Sequence, residues 1–231
     1  MEIVYEDKDI IVVFKPAGIA TQTAGVGQKD VVSELKNHLG GGFVGVVHRL
    51  DQPVEGLLVF AKNKKAAALL SAQVANKEDG GFLKEYDAVV FADRDFSEKA
   101  QLKDHIVKEK EGLARIIPYT EGDRTDTGKE ARLSYVTIGD VRIKGEGEGS
   151  IYRLKVNLET GRFHQIRAQL AAHGLPIIGD VKYGSEKSID LSKRLCIKRV
   201  LLCASRIRFK HPGNGKVLEF THDAFCGIIN A

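Results

Sequence analysis

The stretch "VVHRLDQPVEG", residues 46–56, places His48, Arg49 and Asp51 at the end of an apolar pair, then breaks the chain with Pro53 and Gly56. "GLLVFAK" (56–62) follows and reads as a buried strand. Two readings compete for the polar residues. They can form a surface turn in which Arg49 and Asp51 make an exposed ion pair, worth about 1 kcal/mol or less. Alternatively, Asp51 is held in a cleft for chemistry.

Outward from this stretch, strands predominate. "IIVVF" (10–14) is a buried strand that Lys15-Pro16-Ala17-Gly18 ends in a turn. "EYDAVVFAD" (85–93) is another. "ARLSYVTIGDVRI" (131–143) and "SIYRLKVNLET" (150–160) alternate like antiparallel strands, with "KGEGEG" (144–149) as a hairpin tip. The tail gives a strand in "RVLLCASRIRFKHP" and one more in "KVLEFTH". Helices are few. "DVVSELKNHLG" (30–40) has Asp30 as a cap, Val31, Leu35 and Leu39 on one stripe, and Gly40 as a stop. "KKAAALLSAQVANK" (64–77) and "GRFHQIRAQLAAHG" (161–174) complete the set. In the last, Phe163, Ile166 and Leu170 form one stripe and His164, Arg167 and Ala171 another. Residues 94–130 read as polar and irregular. Pairs of strands without helical crossovers predict an α+β fold with a mixed, mostly antiparallel sheet. No repeat or linker marks a boundary, so one domain over 1–231 is expected.

The composition allows a substantial core: 231 residues, 43% hydrophobic and 29% charged. A net charge of +4 is too mild to imply a polyanion partner by itself. The three cysteines, Cys196, Cys203 and Cys226, lack CxxC spacing, which argues against a disulfide framework or zinc site and suits a reducing cytoplasm. The N-terminus is acidic from Glu2 and its apolar run is only Ile10 to Phe14, so neither a signal peptide nor a membrane span is read there. "GGGFVG" (40–45) lacks phosphate-loop spacing, and the seven histidines include no HExxH. No metal is expected.

A second polar set consists of Lys84, Tyr86, Arg162, His164, Gln165 and Arg167, on segments whose other faces are apolar. Long polar side chains on a rigid scaffold suit a charged, planar ligand. A basic run, Lys182, Lys187, Lys193, Arg194, Lys198 and Arg199, reads as a solvated face unless it lies by a site, where it becomes a phosphate track.

In order along the chain, "DIIVVFKPAG", "HRLD..VEGLLVFAK", "KEYDAVV", "GKEARLSY", "LETGRFHQIRAQLAAHGLPIIGDVKYG" and "LLCASRIRFKHP" resemble the ribosomal-subunit families of RNA pseudouridine synthases, the large-subunit family most. The resemblance implies a mixed sheet split by a basic cleft and a cofactor-free isomerase that converts uridine to pseudouridine in structured ribosomal or transfer RNA. It matches Asp51 to the essential carboxylate, Tyr86 to a tyrosine that stacks on the target base, and Arg167 to an arginine that pairs with that carboxylate. Arg49 matches the residue that fills the gap left by the everted nucleotide. His48, Lys84 and Arg162 would support the site or touch phosphates, with His164 and Gln165 beside them as substrate contacts. No separate N-terminal RNA-binding domain precedes the catalytic strand in this reading. A cytoplasmic monomer is expected, with RNA as partner and no membrane.

The chemistry suits those residue types. The base is cut from its sugar, turned over and rejoined through carbon, with no redox change. The carboxylate can attack or stabilise the sugar-side electrophile, or take a proton from the sugar, and all of these stay open. A stacked uridine must be flipped out, at a few kcal/mol. The alternative is a catalytically inactive RNA-binding protein of the same fold. Four positions depart from the family pattern: Val54-Glu55 replaces Thr-Ser, Cys203 replaces a histidine, and Gln169 opens the triplet after "HQIR". Glu55 is expected to point into solvent.

Overall fold

The computed structural model describes residues 1–23, 28–76, 81–119, 128–141 and 150–225. In chain order the elements are β1 (Glu2–Glu6), β2 (Ile10–Lys15), α1 (Val31–His38), β3 (Gly45–Val46), β4 (Glu55–Ala61), α2 (Lys64–Ala75), β5 (Leu83–Ala92), β6 (Lys99–Lys108), β7 (Ala114–Pro118), β8 (Lys129–Val141), β9 (Ser150–Leu158), α3 (Gln165–Ala172), α4 (Glu186–Arg194), β10 (Leu202–Lys210) and β11 (Val217–Thr221). This is the mixed, mostly antiparallel α+β arrangement expected. The chain divides into two compact units, Met1–Glu85 with Cys203–Ala224, and Tyr86–Leu202 with Phe225.

In the first unit the strands lie in the order β1-β2-β4-β10, with β3 on β4 and β11 on β10. β2 and β4 run antiparallel from Ile10↔Ala61 to Lys15↔Gly56. β4 and β10 run parallel, with Cys203 opposite Glu55 and Ala204 opposite Gly56. Ile10, Val12, Leu57 and Val59 pack with Leu70 of α2 and with Ile207 and Phe209 of β10 to form the core. Side-chain caps start both helices: Asp30 accepts from the Ser33 N–H at 2.7 Å and Asn63 from that of Ala66 at 2.8 Å.

Gly56 sits at φ +132°, and a Cβ there would collide with the backbone of Ala204. Only glycine permits the close approach of β4 and β10 that begins directly after the polar loop.

In the second unit the order is β5-β9-β8-β6-β7. Here the structure corrects the sequence reading: residues 99–108 and 114–118 are strands, not irregular chain. Leu102, Asp104 and Ile106 form the inward row of β6, and the carboxylate among them disguises the period. Asp104 is accommodated because Gln169 Nε2 donates to it at 2.8 Å and His173 Nε2 approaches to 3.0 Å. α3 lays Ala168 on Ile106, Ala114 and Ala131. α3 starts later than expected, because His164 takes the left-handed conformation (φ 52°, ψ 24°) and ends helical continuity on its N-terminal side. Phe163 therefore leaves the expected apolar stripe and is 37% exposed. The helix Glu186–Arg194 was also not read from the sequence. The hairpin tip expected at 144–149, and Cys226, lie outside the described residues. No helix among the described residues is long and apolar enough to cross a membrane.

Candidate active site

β3 pairs with β4 through Gly45↔Ala61 and Val46↔Phe60, so the residues between form a loop that ends where β4 begins at Glu55. The loop closes tightly, with the Val54 N–H donating to the Asp51 carbonyl at 3.1 Å. A second segment, running on from β2, holds it. Thr21 Oγ1 donates to the Leu50 carbonyl at 2.9 Å and accepts from the Leu50 N–H at 3.1 Å. The Gly18 N–H donates to the Gln52 carbonyl at 2.8 Å, and Gln52 Nε2 donates back to the Gly18 carbonyl at 3.0 Å. Asp51 lies between two anchored residues and is half-buried; Arg49 is exposed.

Lys15 is 0% exposed. Its Nζ donates to the carbonyls of Ile19 (2.7 Å), Pro16 (3.1 Å) and Gln52 (3.2 Å). Burial pushes its pKa down to about 8, against the opposing pull of the Asp51 and Glu55 carboxylates. The sequence reading placed Lys15 only in a turn. The available signal was a lysine closing the fully apolar run "IIVVF", where no solvent-facing position is on offer. Glu55 corrects a second expectation: it is 5% exposed and does not point into solvent.

His48 is buried in the first unit, its ring edge against Phe82 at 5.0 Å. The Val59 N–H donates to His48 Nε2 at 3.3 Å. Burial, helped by the charge of Lys84, pushes its pKa down to about 3, so the ring stays neutral at ordinary pH. Lys84 is buried too.

In the second unit Tyr86 stands on β5 and is buried. Arg167 on α3 is 4% exposed and holds Asp180 in a bidentate pair, Nε to Oδ2 at 2.7 Å and Nη2 to Oδ1 at 2.8 Å. Asp180 Oδ1 also accepts from the N–H groups of Lys182 (3.0 Å) and Tyr183 (3.2 Å). The Tyr183 ring lies 5.1 Å from the guanidinium carbon, and its hydroxyl approaches His164 Nδ1 to 2.8 Å while accepting from the Ala114 N–H at 2.7 Å. Asp180 was not singled out from the sequence, because its partner is thirteen residues away across a turn.

Gln165 is buried with every hydrogen-bonding position filled. Oε1 accepts from Thr160 Oγ1 and the Arg162 N–H, and Nε2 donates to the Arg132 carbonyl and Gln169 Oε1. It braces the turn where a regular cap is missing. Arg162 is exposed, its Nε donating to the Glu130 carbonyl at 2.8 Å. Phe163 stacks on His164 at 3.7 Å between centroids, with Lys108 Nζ 4.8 Å from the Phe163 ring. The basic run is partly neutralised by protein, Lys187 meeting Asp93 at 3.4 Å and Arg194 meeting Asp190 at 3.0 Å, while Lys182 Nζ donates to the neutral Gly112 carbonyl at 2.7 Å.

Comparison with known proteins gives this arrangement a family. Residues 9–172 match the model of the RNA pseudouridylate synthase family. Over 231 aligned residues the chain is 31% identical to the ribosomal large subunit pseudouridine synthase D of Zymomonas mobilis, covering 95% of this chain and 68% of that protein. It is 30% identical to the tRNA pseudouridine synthase C of Vibrio cholerae, covering 92% and 86% respectively. The human RNA pseudouridylate synthase domain containing 1 shares the fold, with a TM-score of 0.75 at 22% identity over 97% of this chain and 83% of that one.

Proposed function

The chain belongs to the RNA pseudouridylate synthase family, and on that premise we propose that it isomerises uridines in structured ribosomal or transfer RNA with Asp51 as the essential carboxylate. The observation that carries the assignment of Asp51 is the construction of its loop. Leu50 and Gln52, its two neighbours, are pinned by Thr21, Gly18 and Lys15, while Asp51 keeps partial exposure. A carboxylate that served only an ion pair would not need both flanking peptides fixed.

In this proposal the target uridine is flipped out of its stack and Tyr86 offers it an aromatic face. The bond from the sugar to the base nitrogen breaks, the base turns, and a bond from the sugar to ring carbon five forms. The hydrogen on that carbon leaves as a proton and the ring nitrogen released from the sugar takes up a proton from water, so the product is an isomer and no electrons are gained or lost. Asp51 acts at the sugar or at the base. Arg167 serves as the fixed cation of the site, its geometry set by Asp180. Arg49 and Arg162, both exposed, are the cations for RNA contact, while His48, Lys84 and Gln165 act from within the fold.

The test is RNA carrying tritium at carbon five of its uridines. Turnover releases tritium to water; binding alone does not. Absence of release from ribosomal and transfer RNA of cells lacking the gene would sink the proposal.

A further inference from the structure

Phe163 is 37% exposed, although Ile166 and Leu170, its companions in the apolar stripe, are buried. A single exposed aromatic needs no explanation. This one is built into place. His164 beside it takes the left-handed backbone (φ 52°), which costs free energy for any residue but glycine and persists only where the surroundings fix it. The turn stacks the two rings, 3.7 Å between centroids and 21° between planes. Tyr183 fixes the His164 ring in turn, with its hydroxyl 2.8 Å from Nδ1 and its own ring edge-on at 5.6 Å. The Arg167 guanidinium carbon lies 5.1 Å from that Tyr183 ring. Phe163, His164, Tyr183 and Arg167 thus form one column of contacts, from an exposed ring to the buried arginine. Three exposed cations accompany the column: Lys108, Arg162 and Lys182. Among the described residues none of them meets a carboxylate. Lys108 Nζ lies 4.8 Å from the centre of the Phe163 ring, Arg162 donates to the Glu130 carbonyl, and Lys182 to that of Gly112. Their charge is uncompensated, unlike that of Lys187 and Arg194.

We infer that Phe163 is a stacking platform for an unpaired base of the RNA substrate, a second base-binding position distinct from the one that receives the target uridine. The inference rests on the reading of the chain as an enzyme that acts on RNA. An unpaired base stacks on an aromatic face, and the phosphates on either side of it take up free cations. Lys108 leaves the ring for one of those phosphates when the base arrives. An acidic protein segment would use the cations and leave the ring without a planar occupant. Because the ring is tied through the column to Arg167, a base held on it fixes where the strand lies relative to that arginine. The platform thereby selects RNA in which a second base near the target is also unpaired.

The experiment uses the full chain and two probes followed by fluorescence anisotropy: a short single-stranded RNA without uridine, and the same strand paired with its complement. Phe163→Ala weakens binding of the single strand about fivefold or more, the effect of losing one stacked base, and leaves the duplex within about twofold. Phe163→Leu, which keeps apolar bulk without an aromatic face, shows the same loss, and Phe163→Tyr restores the affinity. The slope of log affinity against log salt stays at its wild-type value in the Phe163 variants and flattens by about 0.7 in Lys108→Ala, one phosphate contact fewer. Single-strand affinity that is absent in the wild type, unchanged in Phe163→Ala or recovered in Phe163→Leu overturns the inference, as does an equal loss on the duplex. Oligoglutamate bound as tightly as the strand, and lost equally in Phe163→Ala, would overturn it in favour of an acidic protein partner. This readout needs no turnover. A wild type that binds the strand through Phe163 but releases no tritium keeps the platform and removes the functional reading. For the active enzyme, Phe163→Ala raises KM for tritium release at least about fivefold with kcat within about twofold. A purely structural Phe163 would lower the melting temperature and kcat together.

Discussion

Asp180 receives both nitrogens of one edge of the Arg167 guanidinium, at 2.7 and 2.8 Å, in a site where each side chain is less than 5% exposed. A planar cation held by two parallel bonds cannot swing. Asp180→Asn keeps the shape but removes the carboxylate that grips both nitrogens in this buried ion pair, at a cost of about 3 to 5 kcal/mol. Urea unfolding should show that loss, and tritium release should fall by more than tenfold at a temperature where the variant is still folded. Wild-type stability in the variant would mean that the pair is dispensable.

Asp51→Asn is expected to abolish tritium release while leaving RNA affinity within several-fold, measured by filter binding. The amide retains the size of the side chain and loses the charge. Turnover equal to wild type would remove Asp51 from the chemistry.

His48 makes acid stability predictable. Folded, its pKa lies near 3; unfolded, it returns to the ordinary 6.5. Between those values the unfolded chain binds the extra proton, so stability falls as pH drops from about 6.5 toward 3. The full effect is about 5 kcal/mol. His48→Leu, which keeps the site apolar beside Phe82, should flatten the decline in urea midpoint across that window. An equally steep decline would show that other groups govern it.

Lys15 has the same sign in a different window. Its folded pKa near 8 lies below the ordinary 10.5, so the unfolded chain holds the extra proton between those values and stability rises as pH climbs through them. Lys15→Met lacks this rise and leaves the carbonyls of Pro16, Ile19 and Gln52 without their donor. The stability gap between wild type and variant should therefore widen by up to about 3 kcal/mol from pH 8 to pH 10. A gap that does not depend on pH would place the lysine in solvent.

What the sequence disclosed, and what it hid, follows from how local each signal is. The helix at Val31–His38 was legible because Asp30, the apolar stripe and the terminal glycine all act within one short segment. β2 was legible as an unbroken apolar run. β6 was hidden because its inward row contains Asp104, whose partners Gln169 and His173 come from α3. The start of α3 was misplaced because the left-handed turn at His164 has no trace in the hydrophobic period. Of the proposed site residues, Asp51, Tyr86 and Arg167 were singled out through motifs, whereas the roles of Lys15 beside Gln52 and of Asp180 beside Arg167 needed contacts with residues distant in sequence. The orientation of Glu55 was missed for the same reason: the strand that covers it, β10, arrives more than a hundred residues later.

The absence of any side chain at Gly56 has a consequence for how this protein can change. With the backbones of β4 and β10 pressed together there, the strands cannot spread to admit a larger residue next door. Positions 55 and 203 therefore divide a fixed volume between them, and a swap at one is acceptable only alongside a matching swap at the other. Lineages that exchange this pair for another must cross a step with either a void or a clash, so the two sites should be inherited as a unit.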